Sequence, residues 1–141
     1  MSFTVLAGQG LDVARLGEHR DALRARLGPF DVAPQSRDHP SDDYFGRLGL
    51  RLAYNASLHL ELITMGRHVD AQFEGVYLLG RGWRDVVTDL AALGFVATYI
   101  DTPIEQSIEY RDQGLRLFSY DPDDDEDEPE GLAVYTPGHL D

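Results

Sequence analysis

The densest group of chemically active side chains is acidic: residues 121–130 carry eight carboxylates within ten positions. Such a run can be a solvated, mobile loop between two strands, because so many like charges cannot pack together. It can also bind divalent cations loosely, or act as an interaction loop that docks on a basic protein. An EF-hand loop beginning at Asp121 requires glycine at its sixth position and glutamate at its twelfth. The chain has Glu126 and Leu132 there, so that calcium motif does not fit.

The other reactive residue types form no recognisable catalytic or metal-binding motif. No two histidines have the HxxxH or HExxH spacing that places two ligands on one helical face. His59 and Glu61 share one face of a predicted strand, which reads as a polar edge. No serine lies in a GxSxG elbow, and the chain has neither cysteine nor lysine, which excludes thiol and Schiff-base chemistry. The five histidines are His19, His39, His59, His68 and His139. The sequence therefore assigns no catalytic residue, no metal and no cofactor, and predicts a protein that is not an enzyme.

The charge balance restricts the class of partner. The 25 acidic and 12 basic residues, all of the latter arginine, give a formal net charge of -13. A chain so negative repels phosphate backbones and anionic membrane surfaces, so we expect neither nucleic acid nor membrane as a partner. The first eight residues lack a basic, strongly apolar leader, and no apolar run reaches the ~18 residues of a membrane span. A cytoplasmic bacterial protein with a basic protein partner is the expectation.

Two segments are predicted to be helices that position these groups. In the first, over Glu18–Leu27, leucines recur at helical spacing before Gly28-Pro29 ends the helix. In the second, apolar residues follow the i, i+3, i+4, i+7 pattern before Gly94. The members of that second stripe are Trp83, Val86, Val87, Leu90 and Leu93.

Strands are predicted after each helix, where apolar residues alternate with polar ones. Leu48–Tyr54 and Leu58–Leu62 are joined by a short hairpin at Asn55–Ser57, and Ala33–Asp43 is predicted to be a loop. In the second half the strand candidates are Phe95–Ile100, Gln113–Tyr120 and Leu132–Tyr135.

A weak internal duplication organises these elements. Gly49–Tyr54 (GLRLAY) returns as Gly114–Tyr120 (GLRLFSY), 65 positions later. Leu-Gly pairs that flank the two helices repeat in the same order at nearly the same offset. We therefore predict a single domain, residues 1–141, built from two pseudo-repeats at about 7–66 and 67–141, with an acidic loop at 121–130. The predicted fold is α+β: two tandem copies of a helix packed on an antiparallel β-meander, with one sheet face left available.

The segments Leu16–Gly28 and Leu79–Gly94 resemble the glycine-flanked helix of the β-lactamase inhibitor protein and of small outer-membrane assembly lipoproteins that share its tandem fold. The chain also has the general look of small acidic immunity proteins encoded beside bacterial toxins. The resemblance implies a non-enzymatic inhibitor or immunity protein that neutralises a toxin or enzyme domain. A self-associating structural subunit, or a small enzyme with an unrecognised site, is the alternative.

The candidate partner-binding residues follow from charge and from tyrosine content. Five belong to the acidic run: Asp123, Asp124, Asp125, Glu126 and Asp127. A second patch is formed by Asp42, Asp43 and Tyr44. Tyrosine supplies rigid area with a polar tip and is enriched at interfaces, and the chain has seven tyrosines.

Overall fold

Two β-sheets and two α-helices account for the regular structure of residues 2–30 and 42–138, which a computed structural model describes. The fold class is therefore α+β, as predicted. The elements in chain order are β1 (Ser2–Leu6), β2 (Gly10–Leu11), α1 (Arg20–Leu27), β3 (Asp43–Phe45), β4 (Leu50–Tyr54), β5 (Leu60–Gly66), β6 (Asp70–Phe73), β7 (Val76–Tyr77), α2 (Trp83–Ala92), β8 (Thr98–Thr102), β9 (Glu105–Tyr110), a 3₁₀ turn (Arg111–Gln113), β10 (Leu115–Phe118) and β11 (Gly131–Tyr135).

The larger sheet joins two antiparallel meanders. Its strand order is β3-β4-β5-β11-β10-β9-β8, and every neighbouring pair is antiparallel. The duplicated sequences form β4 and β10. These two strands lie directly on either side of the central β5–β11 pair. This order agrees with a continuous sheet shared by two halves, while the tandem copies themselves stay a prediction.

The smaller sheet was not predicted. Its order is β2-β1-β6-β7, and β1 pairs with β6 in parallel, with Phe3 opposite Ala71. The partners are far apart in sequence, and β2 and β7 contain only two residues each. Local alternation therefore carries no signal for this pairing. The predicted antiparallel β-meanders are therefore found in the larger sheet, whereas the prediction did not include the four strands of the smaller sheet.

One face of the larger sheet forms the core. One row of side chains on this face runs across five adjacent strands through Leu50, Met65, Leu132, Leu117 and Ile108. These side chains are buried in the same hydrophobic cluster as Leu23 of α1 and Val86 of α2. Both helices thus contribute to the core that this face lines, because their apolar stripes need a partner surface.

The helix boundaries agree with the predicted stop signals. The α1 helix begins after His19, whose Nδ1 accepts a hydrogen bond from the Asp21 backbone N–H, and it ends at Gly28 with φ 84°. The α2 helix buries Trp83, Val86 and Leu90 as expected. Leu93 was predicted to be buried and is 52% exposed. The helix ends at Ala92, so the side chain of Leu93 no longer follows the helical stripe.

The predicted strands lie where expected but are shifted at their ends, and two strands of the larger sheet, β3 and β9, were not predicted. The Asn55 side chain accepts hydrogen bonds from the backbone N–H groups of Ser57 and His59, which builds the predicted hairpin turn. Leu58 lies in that turn with φ 64°, so β5 starts only at Leu60. The predicted loop ends where β3 begins, and residues 33–41 lie outside the described part of the chain. Within that part, no helix is long and apolar enough to cross a membrane.

Candidate functional site

The acidic loop, residues 121–130, is attached to the start of α2 by the only tryptophan. The indole N–H of Trp83 donates to the carbonyl oxygens of Asp121 at 3.1 Å and Asp124 at 2.9 Å. The same ring lies against Tyr120, with ring centroids 5.0 Å apart, and both residues are buried. A buried indole requires an acceptor for its N–H, and here the loop backbone provides two.

The loop also caps the helix. Gly82 precedes α2 and has no side chain to satisfy the first backbone N–H groups. The Trp83 N–H donates instead to the Asp127 carbonyl at 2.9 Å, and the Arg84 N–H to the Asp125 carbonyl at 3.4 Å. A Cβ added at Gly82 would lie 2.9 Å from the Cα of Glu126, so glycine permits this close approach. The positive end of the helix dipole favours an acidic segment at this position.

Three carboxylates hold the loop in shape. Asp121 accepts from the Asp123 N–H at 2.9 Å, Asp124 from the Glu126 N–H at 3.1 Å, and Asp127 from the Asp121 N–H at 2.6 Å. The backbone of this segment, for which the sequence allows a solvated, mobile loop, is therefore fastened by defined hydrogen bonds. Trp83 of α2 anchors the loop, and Pro129 of the loop is itself buried.

Within residues 123–127, three exposed carboxylates accept none of these backbone hydrogen bonds. Asp123, Asp125 and Glu126 are exposed, and among the described residues only Asp125 of these three pairs with a cation, Arg84 at 3.4 Å. Five predicted partner-binding residues, 123–127, are thus brought together on one loop. They divide into residues that shape the loop and residues that present charge.

The second predicted patch is not one exposed surface. Asp43 is fully buried, so its expected place on an exposed surface is wrong. It accepts from the Nε and Nη2 atoms of Arg24 at 2.8 and 2.7 Å and from the Tyr54 hydroxyl at 2.8 Å. Asp42 accepts from Arg51 at 2.6 Å and is mostly covered. Of this patch only Tyr44, 50% exposed, has a broad free surface.

The physical role of Asp43 is to join α1 to the sheet. It lies in β3 on the same side as Phe45, facing the core, and Arg24 reaches it from the helix. The hydrogen bond to Asp43 raises the pKa of Arg24, and burial together with Asp43 raises the pKa of Tyr54. At neutral pH Arg24 is therefore charged and Tyr54 is neutral. The group is an Arg24–Asp43 ion pair that also accepts a hydrogen bond from the Tyr54 hydroxyl, and its role is structural.

A second buried ionic group lies on the opposite face of the sheet. Glu109 of β9 is 2% exposed; it forms ion pairs with Arg116 of β10 and, at 2.7 Å, with Nε of Arg111. The Tyr135 hydroxyl donates to the same carboxylate at 3.2 Å. Burial alone would raise the pKa of Glu109, but Arg116 keeps that pKa below its ordinary value. Burial raises the pKa of Tyr135 to about 12.

That opposite face, expected to be available, is only partly open. Ser107, Glu109 and Tyr135 are buried in it. A groove of about 470 Å³ remains toward β3, bordered by Tyr44, Arg51 and Phe118 among others. A larger groove of about 600 Å³ lies between the β8–β9 turn and the acidic loop. Its lining includes Ile104, Glu105, Ser107, Asp121, Asp127 and Glu130.

The tyrosines divide into core and surface members. Tyr54, Tyr110, Tyr120 and Tyr135 are buried, whereas the three at the surface are Tyr44, Tyr77 and Tyr99. The surface tyrosines lie on three different strands, β3, β7 and β8. They therefore do not form one tyrosine-bearing sheet face.

Residues 2–30 and 42–138 contain no cluster of side chains that could bind a metal ion. No group of three histidine, aspartate or glutamate side chains there has the geometry to hold an ion. His19 and His59 meet edge to face with ring centroids 5.4 Å apart. His39 and His139 lie outside the described residues.

Two features were missed by reasoning from the sequence: the anchoring role of Trp83 and the exposed apolar side chains around β8. Trp83 was counted only as part of a helical stripe, although a buried indole N–H always raises the question of its acceptor. The site as a whole offers fixed, exposed negative charge beside a groove. In comparisons with known proteins, the chain matches no family model, no curated protein and no solved structure.

Proposed function

We propose that this protein is a non-enzymatic binding protein, an immunity or inhibitor protein that neutralises a basic toxin or enzyme domain in the bacterial cytoplasm. One observation supports this above all: the backbone of the acidic loop is fastened to α2, while the carboxylates of Asp123, Asp125 and Glu126 face solvent. The loop therefore presents negative charge from a defined position.

A fastened acidic loop suits protein recognition for an entropic reason. Ordering a loop on binding costs free energy that a loop already held in place does not lose again. The hydrogen bonds from Trp83 and the three internal carboxylate contacts meet that condition. The same charges, with a net charge of -13 behind them, accelerate encounter with a cationic partner.

A basic partner also fits the inhibitor resemblance of the sequence. Enzyme domains that act on nucleic acids carry positive surfaces, because phosphate backbones bind through arginine and lysine. An acidic inhibitor can cover such a surface by charge complementarity. A nuclease-like toxin domain is therefore the partner class that this proposal favours.

The test uses the product of the neighbouring gene, which this proposal expects to be a basic domain that stops growth when it is expressed alone. We expect co-expression to restore growth, and stopped-flow measurements to show an association rate that falls at least tenfold from 20 to 300 mM salt, because exposed charges are screened beyond about 10 Å at 0.1 M. The variant D123N/D125N/E126Q should associate more slowly, with little change in dissociation.

A charge-matched control separates steering by the loop from steering by total charge. The variant D21N/E74Q/D112N also removes three exposed carboxylates, but from α1, the β6–β7 turn and the 3₁₀ turn. We expect this control to slow association much less than the loop variant. Equal association rates for both variants would mean that the loop has no special role in steering the partner. If the protein neither binds the partner nor restores growth, the proposed function is wrong.

A further inference from the structure

β8 is an edge strand, and its outward backbone groups have no paired strand among the described residues. It ends the larger sheet and, among the described residues, pairs only with β9, in a register without a bulge. In an antiparallel strand, alternate residues direct their N–H and C=O groups away from the paired neighbour. Proteins usually protect such an edge with proline, lysine, a bulge or a covering segment. The sequence of β8, Thr-Tyr-Ile-Asp-Thr, has neither proline nor lysine.

Exposed apolar side chains surround this edge. Of the six large hydrophobic residues that are exposed in the described chain, four lie between positions 93 and 104. They are Leu93 after α2, Val96 before β8, Tyr99 within β8 and Ile104 in the β8–β9 turn. Val96 is 77% exposed and Ile104 is 95% exposed. Single exposed apolar residues are ordinary, but their concentration along one edge is typical of an interaction surface.

The charge around the edge is negative. Asp101 is exposed within β8. The groove of about 600 Å³ beside the β8–β9 turn is bordered by four carboxylates, on Glu105, Asp121, Asp127 and Glu130. Arg67, the one cation that lines that groove in the described part of the chain, lies 3.9 Å from Glu130. A strand placed along β8 therefore meets an acidic environment that favours arginine or lysine side chains.

We propose that β8 binds an extended segment of the basic partner protein, which joins the larger sheet as an additional strand. Main-chain hydrogen bonds to β8 supply affinity, as in other cases of strand addition. The apolar side chains at Val96, Tyr99 and Ile104 contact the segment, and its basic side chains, on the other face of the added strand, lie toward Glu105 and the acidic groove. This inference rests on the proposed function and names the surface that carries it out.

The alternative occupant, a second copy of the same chain, is disfavoured by charge. Two chains with a net charge of -13 each would bring their β8 carboxylates together. Like charges directly opposite one another in paired strands are destabilising. The partner segment therefore carries positive charge.

Three synthetic peptides test this inference with the full-length protein. The first alternates arginine and valine over ten residues, the second has the same sequence with N-methyl groups on alternate amides, and the third replaces arginine by glutamate. Titration is followed by NMR, and hydrogen exchange is measured for the amides of Thr98–Thr102. We expect the first peptide to protect the β8 amides that point away from β9 and to bind at least tenfold more tightly than either of the others.

The outcomes separate this inference from the proposed function. If the N-methylated peptide binds as well as the first and leaves the β8 amides unprotected, strand addition is wrong, while recognition of basic partners stands. If the glutamate peptide protects β8 equally, strand addition stands and charge selection, with the proposed function, fails. No binding by any peptide at millimolar concentration overturns the inference. Protection of β8 that rises with protein concentration alone identifies a second copy as the occupant and also overturns it.

Matched tyrosine variants locate the contact. Tyr99 in β8 is 53% exposed and Tyr77 in β7 is 52% exposed, so Y99K and Y77K add the same charge at equally accessible positions. We expect Y99K to weaken binding of the arginine–valine peptide at least fivefold and Y77K less than twofold, with both variants folded. Equal losses would place the contact away from β8.

Discussion

Trp83 and Asp124 are joined by a hydrogen bond from the indole N–H to the main-chain carbonyl at 2.9 Å, across 41 positions of sequence. This contact fixes the most acidic segment of the chain to the first residue of α2. The ring packs on Tyr120 as well, so the same residue serves the core and the loop. The position of the acidic loop therefore depends on the packing of α2 against the core.

Replacement of Trp83 by phenylalanine tests this dependence. Phenylalanine keeps an aromatic ring beside Tyr120 but loses the donor to Asp121 and Asp124. We expect a loss of about 1–3 kcal/mol in the free energy of unfolding and faster hydrogen exchange of the loop amides, measured by urea unfolding and NMR. The control R84Q keeps the indole N–H but removes the exposed ion pair with Asp125 and the contact of the guanidinium with the face of the Trp83 ring, and it should change stability by less than about 1 kcal/mol and leave loop exchange unchanged. Unchanged loop exchange in W83F would contradict the anchoring role.

Two aspartates of the acidic loop should differ although each carries one charge. Asp127 accepts the Asp121 backbone N–H at 2.6 Å, whereas Asp123 is exposed. We expect D127A to lower the free energy of unfolding by about 1–2 kcal/mol and D123A by less than about 0.5 kcal/mol. Thermal unfolding of both variants measures the difference. Equal effects would mean that the loop keeps its shape without this carboxylate.

Leucines 90 and 93 test the helical stripe of α2. Leu90 is 1% exposed in the core and Leu93 is 52% exposed after the helix ends. We expect L90A to lower the free energy of unfolding by about 2–5 kcal/mol and L93A by less than about 0.5 kcal/mol. Urea unfolding followed by the fluorescence of Trp83 measures both. A large loss in L93A would place that side chain in the core after all.

The elements that the sequence predicts are those whose buried residues recur with a regular local spacing. The stripe of Trp83, Val86 and Leu90 identifies α2, and the alternation of Leu50 and Leu52 identifies β4. The parallel pairing of β1 with β6 cannot be predicted from such spacing. A strand pattern states which residues are buried but not which distant strand lies beside them.

The candidate site was predictable in composition but not in geometry. The concentration of acids at 121–130 is plain from the sequence, whereas its anchor, Trp83, is an apolar residue far away. Asp43 looked like a surface acid because Asp42 precedes it. Asp43 and Phe45 are two residues apart in β3, so both face the core. This alternation can be recognised only when the strand is known to begin at Asp43.

The last prediction concerns the buried carboxylate of Glu109 and acid stability. Its pKa in the folded protein lies below the ordinary value of 4.5, because Arg116 stabilises the charged form. The carboxylate therefore contributes fully to stability above pH 4.5, and that contribution is lost as the pH falls through the lower folded value. We expect E109Q to lower the free energy of unfolding at pH 7 by about 3 kcal/mol, near the lower end for breaking a buried ion pair, since Arg116 keeps Glu105 at 3.1 Å.

The pH dependence distinguishes this charge effect from a simple packing defect. Urea unfolding between pH 7 and pH 3 should show a constant gap between wild type and E109Q down to about pH 5, and a narrowing gap below pH 4.5 as the wild type takes up its proton. The exposed Glu74 provides the control: E74Q should follow the wild-type curve throughout. A gap that stays constant to pH 3 would mean that the Glu109 charge contributes nothing and that the variant loses stability through packing alone.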